Sequence, residues 1–201
     1  MSPLVETMTG AAVSVESEVT RLRGGDIEAA ASLMERYQHR LYRYLLRMTG
    51  QPATAEDLFQ QTWLRVMERA RSYDPRRPFE GWLFGVAHNA AIDYLRRLRP
   101  DSLDEPLPSG EAPAELLPGS GVDALEQLLA QETAEWVAEA MADLPAGFRE
   151  VLTLRFEEEM KLEEIAEVLI MPLGTVKTRL HRALKGLRRS LEAKSGTGTA
   201  P

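Results

Sequence analysis

Histidine, asparagine and aspartate are the residue types in this sequence that could support acid–base or metal chemistry. The chain has no cysteine and three histidines, His39, His88 and His181, which lie far apart. That spacing does not suggest a metal site, and the lack of cysteine excludes disulfides and thiolate zinc sites. His88, Asn89 and Asp93 fall close together on a predicted helix, as a nuclease would need, but no phosphate-cradling glycine loop or nucleophile motif accompanies them. We therefore expect no catalytic residues, no metal, no cofactor and no enzyme activity.

Residues 173–191 are basic, because they contain six Lys or Arg residues and no acid. Leucines and a valine recur there in steps of three or four, which predicts a helix with a buried apolar stripe. A shorter helix is predicted over 162–169, and Pro172 suits the first turn of the second helix. Two close helices, the second basic and polar, match a helix-turn-helix whose second helix enters the major groove of DNA. An ordinary amphipathic helix with a solvated basic face is the alternative. The expected DNA contacts are Thr175, Lys177, Thr178, Arg179, His181, Arg182 and Lys185.

A second amphipathic helix is predicted to begin near Thr54, which forms a capping-box pattern with Asp57. Its apolar positions recur at helical spacing, and they are Leu58, Phe59, Thr62, Trp63, Val66 and Met67. The opposite face is polar, so it can either bind a partner helix through hydrogen bonds and ion pairs or simply be solvated. That face consists of Glu56, Asp57, Gln60, Gln61 and Arg65.

Aromatic, cationic and amide side chains are frequent in residues 73–97. The prolines in 73–78 predict a loop there, followed by a helix over 79–99. Aromatic rings and cations can hold bases that have left the DNA stack. The candidates for this role are Tyr73, Arg76, Arg77, Phe79, His88, Asn89, Arg96 and Arg97. We expect Trp82 and Phe84 to be buried, and Asn89 could instead bond to the local backbone.

The elements that must position these residues are predicted to be helices throughout, because no stretch shows sustained strand alternation. Asp26 is the expected N-cap of a helix that ends at Gly50. Further helices are predicted over 123–143 and 145–156. The sequence therefore predicts an all-α fold.

The net charge of −7 is unevenly distributed along the chain. Residues 36–100 carry +6 and residues 161–201 carry +4, whereas residues 101–143 contain eleven acids and no Lys, Arg or His. The five prolines and three glycines of residues 100–121 are typical of a linker. We predict two small helical domains joined by an acidic flexible linker, the C-terminal domain with a helix-turn-helix. The assigned boundaries are an N-terminal extension at 1–23, domains at 24–99 and 122–192, the linker at 100–121, and a disordered tail at 193–201.

Three segments of the second domain resemble the promoter-recognition domain of extracytoplasmic-function (ECF) sigma factors. They read LPAGFREVLTLRF at 144–156, LEEIAEVL at 162–169 and GTVKTRLHRAL at 174–184. In the first domain, AEDLFQQTWLRV at 55–66 resembles the polymerase-binding helix of that family, and residues 78–97 resemble its segment for promoter melting and −10 recognition. The resemblance covers nearly all of the chain outside the linker and the two ends. It implies an alternative sigma factor that binds core RNA polymerase, directs it to specific promoters and assists melting and transcription initiation.

The resemblance also implies partners and roles. The polar face around Gln60 would bind the clamp coiled coil of the β′ subunit, residues 73–97 the −10 element, and the basic helix the −35 element. Core polymerase with its β′ and β subunits, promoter DNA and an anti-sigma factor are the implied partners. No apolar run approaches the roughly 20 residues that span a bilayer, so we expect a cytoplasmic protein without membrane insertion. Ile170 departs from the family, which usually has a glycine or small polar residue there. Since a β-branched residue is costly at positive φ, the turn either differs or stores strain.

Two other functions fit parts of the pattern. An autonomous repressor or activator would use the same helix-turn-helix as a dimer on a palindromic site. A sigma-like decoy would sequester an anti-sigma factor without touching DNA, although the basic recognition helix argues against it.

Overall fold

The computed structural model describes residues 15–98 and 134–197. All regular secondary structure in these two ranges is helical, and it divides into two compact units. The all-α prediction is thereby confirmed. The predicted linker at 100–121 lies outside the described residues. None of the helices in the described ranges has the length and apolar character needed to cross a membrane.

Four α-helices and a short 3-10 helix at Ala70–Ser72 make up the described part of the N-terminal unit. The α-helices are α1 at 15–23, α2 at Ile27–Thr49, α3 at Pro52–Arg69 and α4 at Phe79–Leu98. Helix α1 buries Val19 and Leu22, and Ser32 of α2 donates a hydrogen bond of 2.5 Å to Glu18. The assigned boundary between an extension and a first domain at residue 24 therefore falls inside this unit.

Helix α2 has the two ends that its sequence predicts. Asp26 accepts hydrogen bonds from the backbone N–H groups of Glu28 (2.9 Å) and Ala29 (3.3 Å). Gly50 ends the helix in a left-handed conformation with φ of 68°, and its N–H donates to the carbonyl of Leu46. The predicted apolar face of this helix is buried throughout: Leu33, Tyr37, Leu41, Leu45 and Met48.

The start of α3 differs from the prediction. The helix begins at Pro52 with Gln51 as its N-cap, so the capping box of Thr54 and Asp57 is wrong. Proline is favoured at this position because the first N–H groups of a helix have no intrahelical acceptor. The Thr54 hydroxyl lies 3.3 Å from the Tyr94 hydroxyl of α4 instead.

The described part of the C-terminal unit also has four α-helices: α5 at Ala134–Ala142, α6 at Ala146–Leu152, α7 at Leu162–Val168 and α8 at Leu173–Thr197. A π-helical turn at Thr153–Glu157 continues α6, so the helix predicted over 145–156 changes type after Leu152. Helices α5 and α6 both pack on α8. Asp143 joins the end of α5 to α8, since it accepts a hydrogen bond from Ser190 (3.0 Å) and pairs with Lys194 (3.3 Å). These hydrogen bonds lower the pKa of Asp143 below its usual value. Helix α8 continues to Thr197, so residues 193–197 of the predicted tail are helical.

The turn between α7 and α8 contains Ile170 at a φ of 52°. Its side chain is 78% exposed. The backbone of a non-glycine residue is strained in this left-handed region. The turn at Ile170 therefore keeps the left-handed conformation and stores strain, rather than adopting a different geometry.

Candidate nucleic-acid interface

Helix α8 has a buried stripe and an opposite polar face. Val176, Leu180 and Leu187 lie in the buried stripe. All seven residues predicted to contact DNA lie outside this stripe: Lys177, His181 and Lys185 are exposed, and Thr175, Thr178, Arg179 and Arg182 are half-buried. The structure thus places the whole set on one helix, on the part of its circumference that the buried stripe leaves open. With no acid in 173–191, the face has the charge that binds a polyanion.

Local contacts hold parts of this face in place. The Thr178 hydroxyl donates to the carbonyl of Gly174 (3.0 Å), one turn earlier in α8. The guanidinium of Arg179 lies beside Gly147 of α6. Arg188, farther along the helix, pairs with Glu192 at 2.8 Å. The ion pair partly neutralises Arg188, so the uncompensated positive charge lies toward the N-terminal half of α8.

The loop before α4 is built on an aromatic cluster of Tyr37, Tyr73, Phe79 and Trp82. The Tyr73 ring centroid lies 5.8 Å from that of Phe79 and 5.1 Å from that of Trp82. Tyr73 and Phe79 are both buried, so neither offers a ring face to an extruded base in this conformation. The Tyr73 hydroxyl donates to the backbone carbonyl of Arg77, which fastens the loop. Trp82, expected in the core, is only half-buried.

Exposed cations occupy the tip of this loop. Arg76 and Arg77 have exposed side chains, and Arg76 pairs with Asp74 at 3.1 Å. Backbone and side-chain hydrogen bonds from Arg76 lower the pKa of Asp74. The loop therefore presents cations on a conformation that its own hydrogen bonds define.

Along α4, the exposed residues Asn89, Arg96 and Arg97 share one face. His88 is half-buried. The Asn89 side-chain amide donates to the carbonyl of Gly85 at 2.8 Å. Asn89 thus forms the bond to the local backbone that was the alternative to a DNA contact. Asp93 pairs with Arg65 at 3.6 Å. Within the described ranges, no group of three or more His, Cys, Asp or Glu could hold a metal ion.

The predicted partner-binding face of α3 is solvent-facing. Glu56, Asp57, Gln60 and Gln61 are exposed and Arg65 is half-buried. Sequence reasoning missed two apolar members of this face, Leu64 at 56% exposure and Met67 at 42%. Met67 was expected in the core. The spacing alone indicates that Leu64 shares this face, because it follows Gln60 by four residues and Gln61 by three.

A bidentate ion pair anchors the start of α4 to α2. Arg40 donates to both carboxylate oxygens of Glu80, at 3.0 and 2.5 Å. The same guanidinium lies 6.0 Å from the ring centroid of Tyr37 and 5.8 Å from that of Phe84. Burial raises the pKa of Tyr37 to about 12, so its hydroxyl stays protonated in the physiological range. The first turn of α4, and with it the loop, is thereby held against the core of the N-terminal unit.

Comparison with known proteins identifies both units. Residues 33–100 match Sigma-70 region 2, and residues 140–189 match Sigma-70 region 4. The chain is 31% identical to the ECF RNA polymerase sigma factor SigW of Bacillus subtilis, over 88% of this chain and 96% of SigW. The chain belongs to the ECF sigma factor family. It is therefore an alternative sigma factor, which binds core RNA polymerase, directs it to promoters and assists melting and initiation. Sigma factors are initiation factors rather than catalysts.

Solved structures share the fold of this sigma factor. The structure of CnrH in complex with the cytosolic domain of CnrY has a TM-score of 0.62 and 24% identity, and the match covers 92% of this chain and 98% of CnrH. The sigma factor RpoE in complex with the anti-sigma factor NepR, from Bartonella quintana, has a TM-score of 0.60 and 21% identity, with 81% of this chain and 96% of RpoE covered.

Proposed function

We propose that α8 of this sigma factor reads the −35 element, that the loop and α4 bind the −10 element, and that α3 binds core polymerase. The observation that carries the proposal is the acid-free cationic face of α8 opposite a buried stripe. A helix of this kind is the element that a helix-turn-helix inserts into the major groove.

On α8, the roles divide by length and charge. Lys177 and Arg179 can reach base edges, as Arg and Lys do when they bind guanine O6 and N7. Thr175 and His181 are proposed to donate to or accept from neighbouring bases, whereas Thr178, whose hydroxyl donates to Gly174, can accept. Arg182 and Lys185 are proposed to contact phosphates, which fix the register of the helix without reading sequence.

At the −10 element, we assign the direct contacts to the exposed cations and to α4. Arg76 and Arg77 on the loop are proposed to bind the backbone of the melted strand. Asn89, Arg96 and Arg97 extend the surface along α4, with His88 at its edge. Because Tyr73 and Phe79 are buried, their proposed role is to hold the loop that carries Arg76 and Arg77.

Helix α3 is proposed to bind the clamp coiled coil of the β′ subunit. Its face combines four exposed polar side chains with Leu64 and Met67. A surface that combines exposed apolar side chains with polar neighbours is the composition that protein interfaces favour. The ion pair of Arg65 with Asp93 holds the edge of this face to α4, and further contacts are expected with the β subunit.

We also propose an anti-sigma factor as a regulatory partner and the cytoplasm as the place of action. The anti-sigma partner is suggested by the RpoE structure, which contains one. The cytoplasm is where core polymerase and chromosomal promoters meet in bacteria.

The proposal is tested by transcription with purified core polymerase on a promoter library, using Arg179→Ala. We expect Arg179→Ala to weaken promoter binding by about 1–3 kcal/mol, since a bidentate base contact discriminates by that amount. The matched control is Arg188→Ala on the same helix, which removes an arginine already paired with Glu192. If the two variants lower promoter affinity equally and without base preference, Arg179 does not read the −35 element.

A further inference from the structure

Gly147 lies in the first turn of α6, beside the guanidinium of Arg179 on α8. A Cβ atom at this position would be 3.2 Å from Nη1, 3.6 Å from Cζ and 4.0 Å from Nε of Arg179. The guanidinium therefore lies against the part of α6 that glycine leaves bare. Its location depends on residue 147 having no side chain.

The contact with α6 is the feature that limits where this guanidinium can lie. Among residues 15–98 and 134–197, Arg179 has no hydrogen-bond or ion-pair partner. A helix N-terminus does not attract a cation, so the contact with Gly147 is one of shape rather than charge. Within those ranges, none of the N–H donors of the guanidinium is used, and its exposed part can donate to a base edge or a phosphate.

We propose that Gly147 is a positioning residue for promoter recognition, because its bare backbone sets where Arg179 presents its donors to the −35 element. This inference rests on the proposed role of Arg179. Bidentate reading of guanine requires two N–H groups aligned with O6 and N7 at once. A Cβ atom at 3.2 Å displaces the guanidinium by a few tenths of an ångström, and a longer side chain occupies its place.

The stability of the fold should not depend on Gly147 in the same way. A new Cβ meets the flexible end of an arginine, which can move aside without disturbing the core. Alanine is also a better helix former than glycine. Gly147→Ala is therefore expected to keep or raise the urea midpoint of unfolding while it weakens promoter recognition.

The experiment measures the affinity of reconstituted holoenzyme for a cognate promoter and for single-base-pair variants of its −35 element. Gly147→Ala and Gly147→Leu are compared with the wild type, each also in an Arg179→Ala background. We expect affinity to fall about threefold for alanine and at least about tenfold for leucine, approaching the loss of the whole arginine contact. Discrimination should fall at the same base pair that Arg179→Ala affects, and neither substitution should add to the loss when Arg179 is absent.

Each failure has a distinct meaning. Equal losses with and without Arg179, or full discrimination by Gly147→Leu, overturn the positioning role and leave the proposed role of Arg179 intact. Unchanged discrimination by Arg179→Ala itself removes the proposed role of Arg179, and the inference with it. The urea midpoint of unfolding is measured for every variant. If Gly147→Leu does not fold, Gly147→Ala with and without Arg179→Ala tests the positioning role by itself.

Discussion

At the scale of single residues, Ile170 combines an unfavourable backbone conformation with an exposed side chain. Its φ of 52° places a β-branched residue in the left-handed region, and 78% of its side chain faces solvent. The side chain therefore contributes little packing energy to offset the backbone cost, which is roughly 1–2 kcal/mol for such a residue. Glycine has no Cβ atom and adopts this conformation readily.

We predict that Ile170→Gly raises the free energy of unfolding by about 1 kcal/mol, the relief of strain less the larger backbone entropy that glycine loses on folding. Urea denaturation of the full chain measures the change. Ile170→Ala is the matched control, because it removes the same exposed apolar surface and keeps the Cβ atom. An equal gain from both variants would mean that apolar exposure, and not φ, limits stability at this turn.

Sequence alone predicted residue roles well where one local rule decides them. Asp26 and Gly50 end α2 as expected, because capping and positive φ involve only a few neighbouring residues. Tyr73 and Phe79 were expected at the DNA surface, yet they pack into an aromatic cluster. That cluster includes Tyr37 from a distant part of the chain, so no local pattern could have indicated it.

At the scale of elements, the ion pair of Arg40 with Glu80 joins α4 to α2. Both side chains are about one-third exposed, so water screens the pair only in part. Replacing Glu80 removes two charge-assisted hydrogen bonds and leaves the guanidinium beside the rings of Tyr37 and Phe84. The carboxylate also lies in the first turn of α4, where a negative charge is favourable.

We predict that Glu80→Gln lowers the free energy of unfolding by about 1 kcal/mol, a value between those of exposed and charge-assisted pairs. Thermal denaturation of the full chain is the measurement. Glu68→Gln on the exposed surface of α3 makes the same chemical change outside the pair and should be nearly neutral. If Arg40→Met combined with Glu80→Gln showed no coupling between the two sites, the pair would not stabilise this joint.

The exposed face of α3 supports a second prediction at this scale. Leu64 is solvent-exposed, so Leu64→Glu should fold normally while it places a charge within the proposed polymerase contact. We expect at least about a tenfold loss of core affinity, as for an apolar residue that becomes buried in an interface. Pull-down or fluorescence anisotropy with core polymerase measures it, and Glu35→Lys on the exposed surface of α2 is the control. Wild-type affinity of the Leu64→Glu variant would exclude this face of α3 as the contact.

The existence and order of the helices were predictable, whereas some of their ends were not. Periodicity identifies α2, α3, α4 and α8 because each buries one face at a 3.6-residue repeat. The start of α3 was predicted wrongly because both Pro52 and Thr54 are favourable near a helix N-terminus. The helix begins at Pro52, since proline lacks the N–H that would have no acceptor in the first turn. Serine and glycine near residue 195 predict a helix end near residue 192. Helix α8 nevertheless continues to Thr197.

At the scale of the whole molecule, charge is segregated along a chain whose net charge is −7. The two proposed DNA-binding regions are cationic, and residues 101–143 between them carry eleven acids without one Lys, Arg or His. Acids so close in sequence to cationic surfaces repel DNA phosphates and lower the affinity of the free chain for DNA. The proposed consequence is that this sigma factor binds promoters with core polymerase rather than alone.

We predict that neutralising the acids of 101–115, as Asn at 101 and 104 and Gln at 105, 111 and 115, strengthens binding of the free chain to nonspecific duplex DNA. The gain should be about tenfold in low salt and much smaller near 0.3 M salt, because added ions screen the removed repulsion. A control that exchanges Asp for Glu and Glu for Asp at the same positions keeps the charge and should behave like the wild type. Fluorescence anisotropy across a salt series separates the variants. A gain that persists at high salt, or that the charge-preserving control shares, would mean that the segment acts through its conformation and not through its charge.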